Sequence, residues 1–139
     1  MKEFEPILVV EDDALDVATI ERAFEELNIR NKLVRAANGE EALCYLRNNS
    51  SKKPCVILLD LRMPKMDGIE FLQVIKGDET LRQIPVVVLT VSLHEQDVVE
   101  SFNLGVAGYI TKSSNYEEFV KKLKTIQLYW SLSELPSLK

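Results

Sequence analysis

Residues 55–68 read CVILLDLRMPKMDG, and this stretch decides the fold. The five residues before Asp60 are apolar, which is typical of a strand that is buried on both faces. Pro64 and the Asp67-Gly68 pair then indicate a long loop that leads into a helix. The stretch therefore predicts a buried strand that ends at a carboxylate and is followed by a loop and a helix.

The same alternation of a short apolar run with a longer amphipathic stretch occurs five times along the chain. The predicted strands are 7–10, 32–36, 55–59, 86–89 and 107–111. The predicted helices are 15–27, one that begins after Asn38-Gly39, 68–76, 95–103 and 116–127. Strands that alternate with helices favour parallel strands joined by right-handed crossovers. We therefore expect a three-layer, doubly wound (βα)5 sheet of the α/β class.

Composition narrows the class of protein. The 139 residues are 46% hydrophobic and carry 17 basic against 22 acidic side chains, a net charge of −5. This size suits one domain with its own core, and the acidic balance argues against nucleic acid as a partner. No apolar stretch approaches the roughly 20 residues that span a bilayer, so we expect a cytoplasmic protein that does not bind membranes. Cys44 and Cys55 form no metal-binding motif, and we expect both to be reduced packing residues.

Chemically useful side chains follow four of the five predicted strands. Glu11 and Asp12 follow the first strand and Asp60 follows the third, whereas Thr90 follows the fourth and Lys112 the fifth. In sheets of this type the ligand site lies beyond the carboxyl ends of the strands. We therefore expect these acids, the hydroxyl and the lysine to meet at one edge of the sheet.

Neighbouring carboxylates repel each other unless a cation lies among them, and a site of hard oxygen ligands suits Mg²⁺. Once a metal neutralises such a cluster, one carboxylate can attack an electrophilic phosphorus while Lys112 balances charge on the phosphoryl oxygens. The predicted reaction is therefore phosphoryl transfer onto an aspartate. Asp13, the next acid in the first loop, is expected to be only a helix cap.

Four motifs in register carry a resemblance to a known family. They read VVEDD (9–13), LLDLRMPKMDG (58–68), VVLTVS (87–92) and GYITK (108–112). In this order and at these separations they resemble the receiver domain of two-component response regulators, over about residues 7–127. The resemblance implies the flavodoxin-like strand order 2-1-3-4-5. We assign 1–127 to a receiver domain and 128–139 to an apolar C-terminal extension, with no separate output domain.

The resemblance also implies the roles of individual residues. Asp60 would be the phosphoacceptor, and Mg²⁺ would be held by Glu11, Asp12, Asp60 and the backbone carbonyl of Arg62. Lys112 would pair with the phosphoryl group. The protein would then be a phosphoacceptor signalling protein rather than an enzyme with its own substrate.

A second set of residues would turn phosphorylation into a signal. Thr90 would direct its hydroxyl toward the phosphoryl oxygens, and Tyr109 would swing inward behind it.

The match is closest to single-domain regulators that partner phytochrome-type sensor histidine kinases, so the implied donor is a phosphohistidine. The implied homodimer surface comprises helix four, strand five, helix five and the tail, and the residues assigned to it are Val98, Phe102, Tyr109, Tyr129 and Trp130. The alternative is that the tail packs back on its own domain.

Two departures from the family pattern affect the site. Ser113 follows Lys112 where the family commonly has proline, which puts the reach of Lys112 in question. Val91 follows Thr90 where a smaller residue is usual, and we expect it to shield the acyl phosphate from water.

Three other functions compete with the receiver interpretation. A phosphatase with an aspartyl intermediate commonly has a DxD motif after its first strand, where this chain has Glu11-Asp12-Asp13, and a cap domain for which there is no room. A flavodoxin-type module needs a Ser, Thr and Gly pattern in the first loop. An interaction domain that does not depend on phosphorylation would not need the complete set of site residues.

Overall fold

The computed structural model describes residues 5–48, 53–91, 94–112 and 115–132, with side chains as far as residue 128. The strands are β1 (Ile7–Val10), β2 (Leu33–Ala36), β3 (Val56–Leu59), β4 (Val86–Thr90) and β5 (Gly108–Thr111). The α-helices are α1 (Ala14–Glu26), α2 (Gly39–Asn48), α3 (Gly68–Lys76), α4 (Glu95–Asn103) and α5 (Tyr116–Leu132). A single 3-10 turn, Leu81–Gln83, precedes β4.

The five strands form one parallel sheet in the order β2-β1-β3-β4-β5, which confirms the predicted fold. Strand β1 lies between β2 and β3, and Val10 is opposite Leu59 in the register of β1 and β3. The next residue of each strand is an acid, Glu11 in one case and Asp60 in the other. The register alone therefore brings two carboxylates side by side at the carboxyl edge, where the chain order reverses and ligands bind in such sheets.

The sheet is covered on both faces, because alternate residues of each strand point to opposite sides. One face packs on α2 and α3, and its fully buried side chains include Leu8, Val10, Leu46, Phe71 and Ile75. The other face packs on α1 and α5, and its buried side chains include Ile7, Val9, Phe24, Phe119 and Leu123. Helix α4 is held more weakly, since its one buried residue is Ser101. Within the described ranges, no helix has the length and apolar composition to cross a bilayer.

Two helices differ from the prediction. Helix α5 was expected to end near Gln127 but continues to Leu132, because no glycine or proline interrupts the sequence there. The first residues of the predicted extension are therefore helical, while the side chains of Tyr129 and Trp130 and all of 133–139 lie outside the described residues. Helix α1 begins one residue earlier than predicted, and Leu15 in its first turn is 79% exposed, whereas Val17 is buried.

The two cysteines differ from each other. Cys55 is buried as predicted, and its pKa is raised to about 12, chiefly by burial. The prediction for Cys44 was wrong, because this residue lies on the outer side of α2 and is exposed, with its Sγ accepting from the side-chain amide of Asn48. Both thiols are free.

Candidate functional site

The loop from β1 to α1 is fixed by hydrogen bonds within the loop itself. Asp13 caps α1, as predicted, because its Oδ1 accepts from the backbone N–H of Leu15 at 2.8 Å. The backbone N–H of Asp13 in turn donates to Oε1 of Glu11 at 3.2 Å. The same tight loop therefore starts the helix and orients the first acid of the site.

A basic residue on the neighbouring strand holds the backbone of this loop. Arg35 of β2 donates from Nε to the carbonyl of Glu11 at 3.2 Å, and from its terminal nitrogen to the carbonyl of Asp12 at 3.0 Å. Sequence reasoning missed Arg35, because β2 carries no part of the motifs. Its guanidinium leaves the carboxylates themselves available while it stabilises the loop that presents them.

Asp60 is positioned by its own strand and by the start of α3. Its backbone N–H donates to the carbonyl of Val10 at 3.0 Å, and the residue is only 6% exposed. The loop after Asp60 closes at Gly68, whose N–H donates to the carbonyl of Leu61 at 3.0 Å. A Cβ at Gly68 would lie 2.6 Å from the carbonyl oxygen of Asp60, so a larger residue cannot fit without moving the backbone of the candidate phosphoacceptor.

Three carboxylates meet at this edge of the sheet. Glu11, Asp12 and Asp60 each offer an oxygen, and these oxygens lie within 4.8 Å of one another. Glu11 and Asp60 are buried whereas Asp12 is exposed, so the cluster opens to solvent on one side. Hard oxygen ligands at this spacing fit a divalent cation such as Mg²⁺, which keeps several waters when it binds to proteins. The backbone N–H of Arg62 lies 3.4 Å from Oδ1 of Asp60, and the predicted role of the Arg62 carbonyl as a ligand stays a prediction.

Lys112 lies at the centre of the acidic side chains, as the motifs predicted. Its ammonium is 2.7 Å from Glu11 Oε2, 2.8 Å from Asp16 Oδ2 and 3.6 Å from Asp60 Oδ2. The backbone N–H of Lys112 donates to the carbonyl of Thr90 at 2.7 Å, which continues the pairing of β4 with β5 to the edge of the site. Asp16 was not among the predicted site residues, and Ser113 lies outside the described ranges.

Burial and the neighbouring charges together raise the pKa of two groups in the site. The pKa of Glu11 is raised to about 7, mainly by burial and further by the charge of Asp60, although the hydrogen bond from Lys112 opposes the shift. Burial lowers the pKa of Lys112, but hydrogen bonds to Asp16 and Glu11 and the charge of Asp60 outweigh it and raise that pKa to about 12. Lys112 therefore stays charged near neutral pH, where Glu11 in the metal-free cluster can take up a proton.

The predicted switch residues lie on the neighbouring strands. Thr90 is fully buried at the end of β4, and Tyr109 of β5 is half-buried against the core on the α2–α3 face. On α4, Phe102 is 51% exposed as the interface prediction requires, whereas Val98 is half-buried and its neighbour Val99 is 50% exposed.

An ion pair connects the loop after Asp60 with α4. The guanidinium of Arg62 contacts Oδ2 of Asp97 at 2.5 Å, and Asp97 lies in the first turn of α4. The Arg62 side chain is 57% exposed, so the pair lies in solvent-screened surroundings and contributes about 0–1 kcal/mol. It nevertheless places a side chain from the loop of the site in contact with the helix that carries Phe102.

Residues 7–124 match a protein family described as the response regulator receiver domain. The chain belongs to this family. The receiver domain is 38% identical to the response regulator Rcp1 of Synechocystis over 128 residues, which cover 89% of this chain and 87% of the relative. It is 39% identical over 127 residues to the probable methanogenesis regulatory protein FilR2 of Methanothrix harundinacea, covering 89% of this chain and 82% of that relative.

Solved structures give the same assignment. The receiver domain superposes on the phosphorylated cyanobacterial phytochrome response regulator RcpA with a TM-score of 0.88 at 41% identity, covering 96% of this chain and 99% of that one. The Mn²⁺-bound form of Rcp1 superposes with a TM-score of 0.86 at 37% identity and the same coverage. Receiver domains bind Mg²⁺ at their acidic site, and the cluster of Glu11, Asp12 and Asp60 fits a divalent metal.

Proposed function

We propose that this receiver domain accepts a phosphoryl group on Asp60 from a phosphohistidine of a sensor histidine kinase and passes on the signal by docking to other proteins. The observation that carries the proposal is the cluster of three carboxylates, those of Glu11, Asp12 and Asp60, with the Lys112 ammonium beside Glu11 and Asp60. The phytochrome regulator in the RcpA structure favours a phytochrome-type kinase as the donor.

The reaction needs one nucleophile and a means to balance charge. An oxygen of Asp60 attacks the phosphorus of the donor, the P–N bond of the phosphohistidine breaks, and its electron pair stays on the imidazole nitrogen. The product is an acyl phosphate on Asp60. The nearby Lys112 ammonium balances charge that develops on the phosphoryl oxygens. A Mg²⁺ ion held by Glu11, Asp12, Asp60 and the Arg62 carbonyl would neutralise the remaining negative charge when it is bound.

Incubation with Mg²⁺ and acetyl phosphate, followed by intact mass measurement and peptide mapping, tests this proposal. The wild type is expected to gain one base-labile phosphoryl group on the peptide that contains Asp60, and Asp60→Asn is expected to gain none. Asp13→Asn is the matched control, because it removes an acid from the same region and keeps a side chain that caps helices as well as aspartate does. A wild type that stays unmodified, or equal labelling of Asp60→Asn, would refute the proposal.

The signal is proposed to leave through β5 and α4. A phosphoryl group beside the buried Thr90 would bias two states of the site only through contacts that differ between them. Thr90 and the half-buried Tyr109 are proposed to make those contacts. The output is then a change of surface near Phe102, which suits docking rather than catalysis.

A homodimer through α4, β5, α5 and the tail is the proposed assembly. Support comes from the apolar side chains of Val99 and Phe102, which are both about half exposed on α4. Light scattering of the full chain with and without beryllium fluoride, a phosphoryl mimic, tests it. Phe102→Glu is expected to give monomers, and Leu15→Glu is the control because Leu15 is exposed on α1 instead. A wild type that is monomeric in both states at high concentration would contradict the dimer.

A further inference from the structure

Asp16 contacts the site without belonging to the carboxylate cluster. It lies in the first turn of α1, and its side chain is 39% exposed. Its Oδ2 lies 2.8 Å from the ammonium of Lys112, closer than Asp60 at 3.6 Å. The inference drawn from this contact rests on the proposed function, since it concerns how Lys112 reaches a phosphoryl group on Asp60.

The ammonium has three N–H groups, and two of its neighbours lie at hydrogen-bond distance. One is Glu11 at 2.7 Å and the other is Asp16. The distance from Asp60 Oδ2 to the ammonium is beyond the usual range of an N–H···O bond, so Asp60 interacts with Lys112 electrostatically but without a hydrogen bond. Glu11 and Asp16 together fix the position of the ammonium, so a phosphoryl group on Asp60 must draw it away from at least one of them, even though neither uses the third N–H group.

The two carboxylates differ in what they lose when the ammonium moves. The Glu11 side chain is only 3% exposed, so without the ammonium its charge would be left inside the protein with no opposite charge in contact and only the backbone N–H of Asp13 as a hydrogen-bond donor. Asp16 reaches water, which can solvate its carboxylate once the ion pair opens. Asp16 is accordingly the partner that Lys112 can give up at the lower cost.

We propose that Asp16 is a positioning residue that holds the Lys112 ammonium back from Asp60 and so weakens capture of the phosphoryl group. Phosphorylation exchanges the contact with Asp16 for one with the phosphoryl oxygens and leaves the contact with Glu11 in place. Because Asp16 is on α1, this exchange also loosens the link between α1 and β5 that the resting state maintains.

Three variants test the role of the charge on Asp16. Asp16→Asn keeps the shape and removes the charge, Asp16→Glu keeps the charge, and Glu21→Gln removes a charge from an exposed position of the same helix. At saturating Mg²⁺, two quantities are measured: the initial phosphorylation rate at subsaturating acetyl phosphate, and the beryllium fluoride concentration that half-saturates the amide shifts in nuclear magnetic resonance spectra.

Asp16→Asn is expected to raise the rate about threefold to tenfold and to lower the half-saturating concentration by a similar factor, as expected for the loss of one nearby charge. Asp16→Glu and Glu21→Gln are expected to behave like the wild type. Combination with Lys112→Met separates positioning from direct repulsion of the anion. In that background Asp16→Asn is expected to change neither quantity, because the carboxylate acts through the ammonium.

Two results would contradict the proposed role of Asp16. Equal values for Asp16→Asn and wild type would overturn the inference, and so would an effect of the same size in the Lys112→Met background. Failure of the proposed function looks different, because the wild type itself would then acquire no phosphoryl group on Asp60.

Discussion

Gly68 begins α3 against the backbone of the candidate phosphoacceptor, and Gly68→Ala tests how closely the two must fit. A Cβ there would lie 2.6 Å from the Asp60 carbonyl oxygen, 2.7 Å from the Leu61 Cα and 2.8 Å from the Leu61 Cδ2. Two of these three atoms belong to the backbone. A change of side-chain rotamer therefore cannot relieve the overlap, and the chain at Asp60 and Leu61 has to shift.

The size of the effect follows from that overlap. Inserting a carbon into a filled space costs about 1–3 kcal/mol, and we expect Gly68→Ala to lower the free energy of unfolding by about 2 kcal/mol. With a urea m-value of about 1.5 kcal/mol/M, the unfolding midpoint would fall by about 1 M. Because the shift moves the attacking carboxylate of Asp60, we also expect phosphorylation by acetyl phosphate to slow by about tenfold.

Gly77→Ala, at the other end of α3, is the matched control. Its nearest atoms would lie 3.5 Å and 3.6 Å from the new Cβ, and its φ of −85° suits alanine. We expect an unchanged or slightly higher stability, by about 0.5 kcal/mol, and an unchanged phosphorylation rate. Urea unfolding and timed intact mass spectra measure both quantities. If Gly68→Ala matched Gly77→Ala in both, the close approach to Asp60 would not constrain the site.

Val91 is 65% exposed beside Thr90 and is predicted to shield the acyl phosphate from water. Val91→Ala is therefore expected to speed loss of the phosphoryl group about twofold to tenfold in timed mass spectra, which corresponds to about 1 kcal/mol in the barrier to hydrolysis. An unchanged or slower loss would contradict shielding. Because the pKa of Glu11 is raised to about 7 and metals bind the deprotonated form, the Mg²⁺ affinity measured by calorimetry is expected to fall about tenfold from pH 8 to pH 6. Equal affinities at the two pH values would contradict the proposal that Glu11 must lose a proton before Mg²⁺ binds. With iodoacetamide at pH 8, Cys44 is expected to react in the native protein and Cys55 only after unfolding, and mass mapping that finds Cys55 labelled first would refute the assignment of burial.

The fold was largely predictable because alternating apolar runs and punctuating residues dictate a parallel sheet. The bounds of α3 and α4 agreed with the prediction, and the local signals were clear at the start of α3, marked by Asp67-Gly68, and at the start of β4, marked by Pro85. The end of α5 was missed because the family pattern places it near Gln127. In this chain no glycine or proline follows Gln127 closely, and the helix continues to Leu132. Leu15 is exposed because it lies on a different side of α1 from the buried residues Val17 and Phe24, and which side faces the core is decided by packing against the sheet.

The site was predictable to the extent that its residues lie at the ends of strands. The register of β1 and β3 brings Glu11 and Asp60 together, and the GYITK motif places Lys112 directly after β5, two strands from β3. Asp16 and Arg35 were missed for a physical reason. Each lies on an element that carries no motif residue at that point, and only the packing of α1 and β2 against their neighbours brings these side chains to the site.

The ion pair between Arg62 and Asp97 has a consequence for the conditions under which the protein works. The Arg62 side chain is largely exposed, whereas the carboxylates of Glu11 and Asp60 lie inside the protein. Dissolved ions screen charges over about 8 Å at physiological ionic strength, and they act more on this pair, whose Arg62 side chain lies in solvent, than on buried groups. A higher ionic strength is therefore expected to weaken the link between the loop after Asp60 and α4 more than it weakens the contacts among the buried side chains of the site.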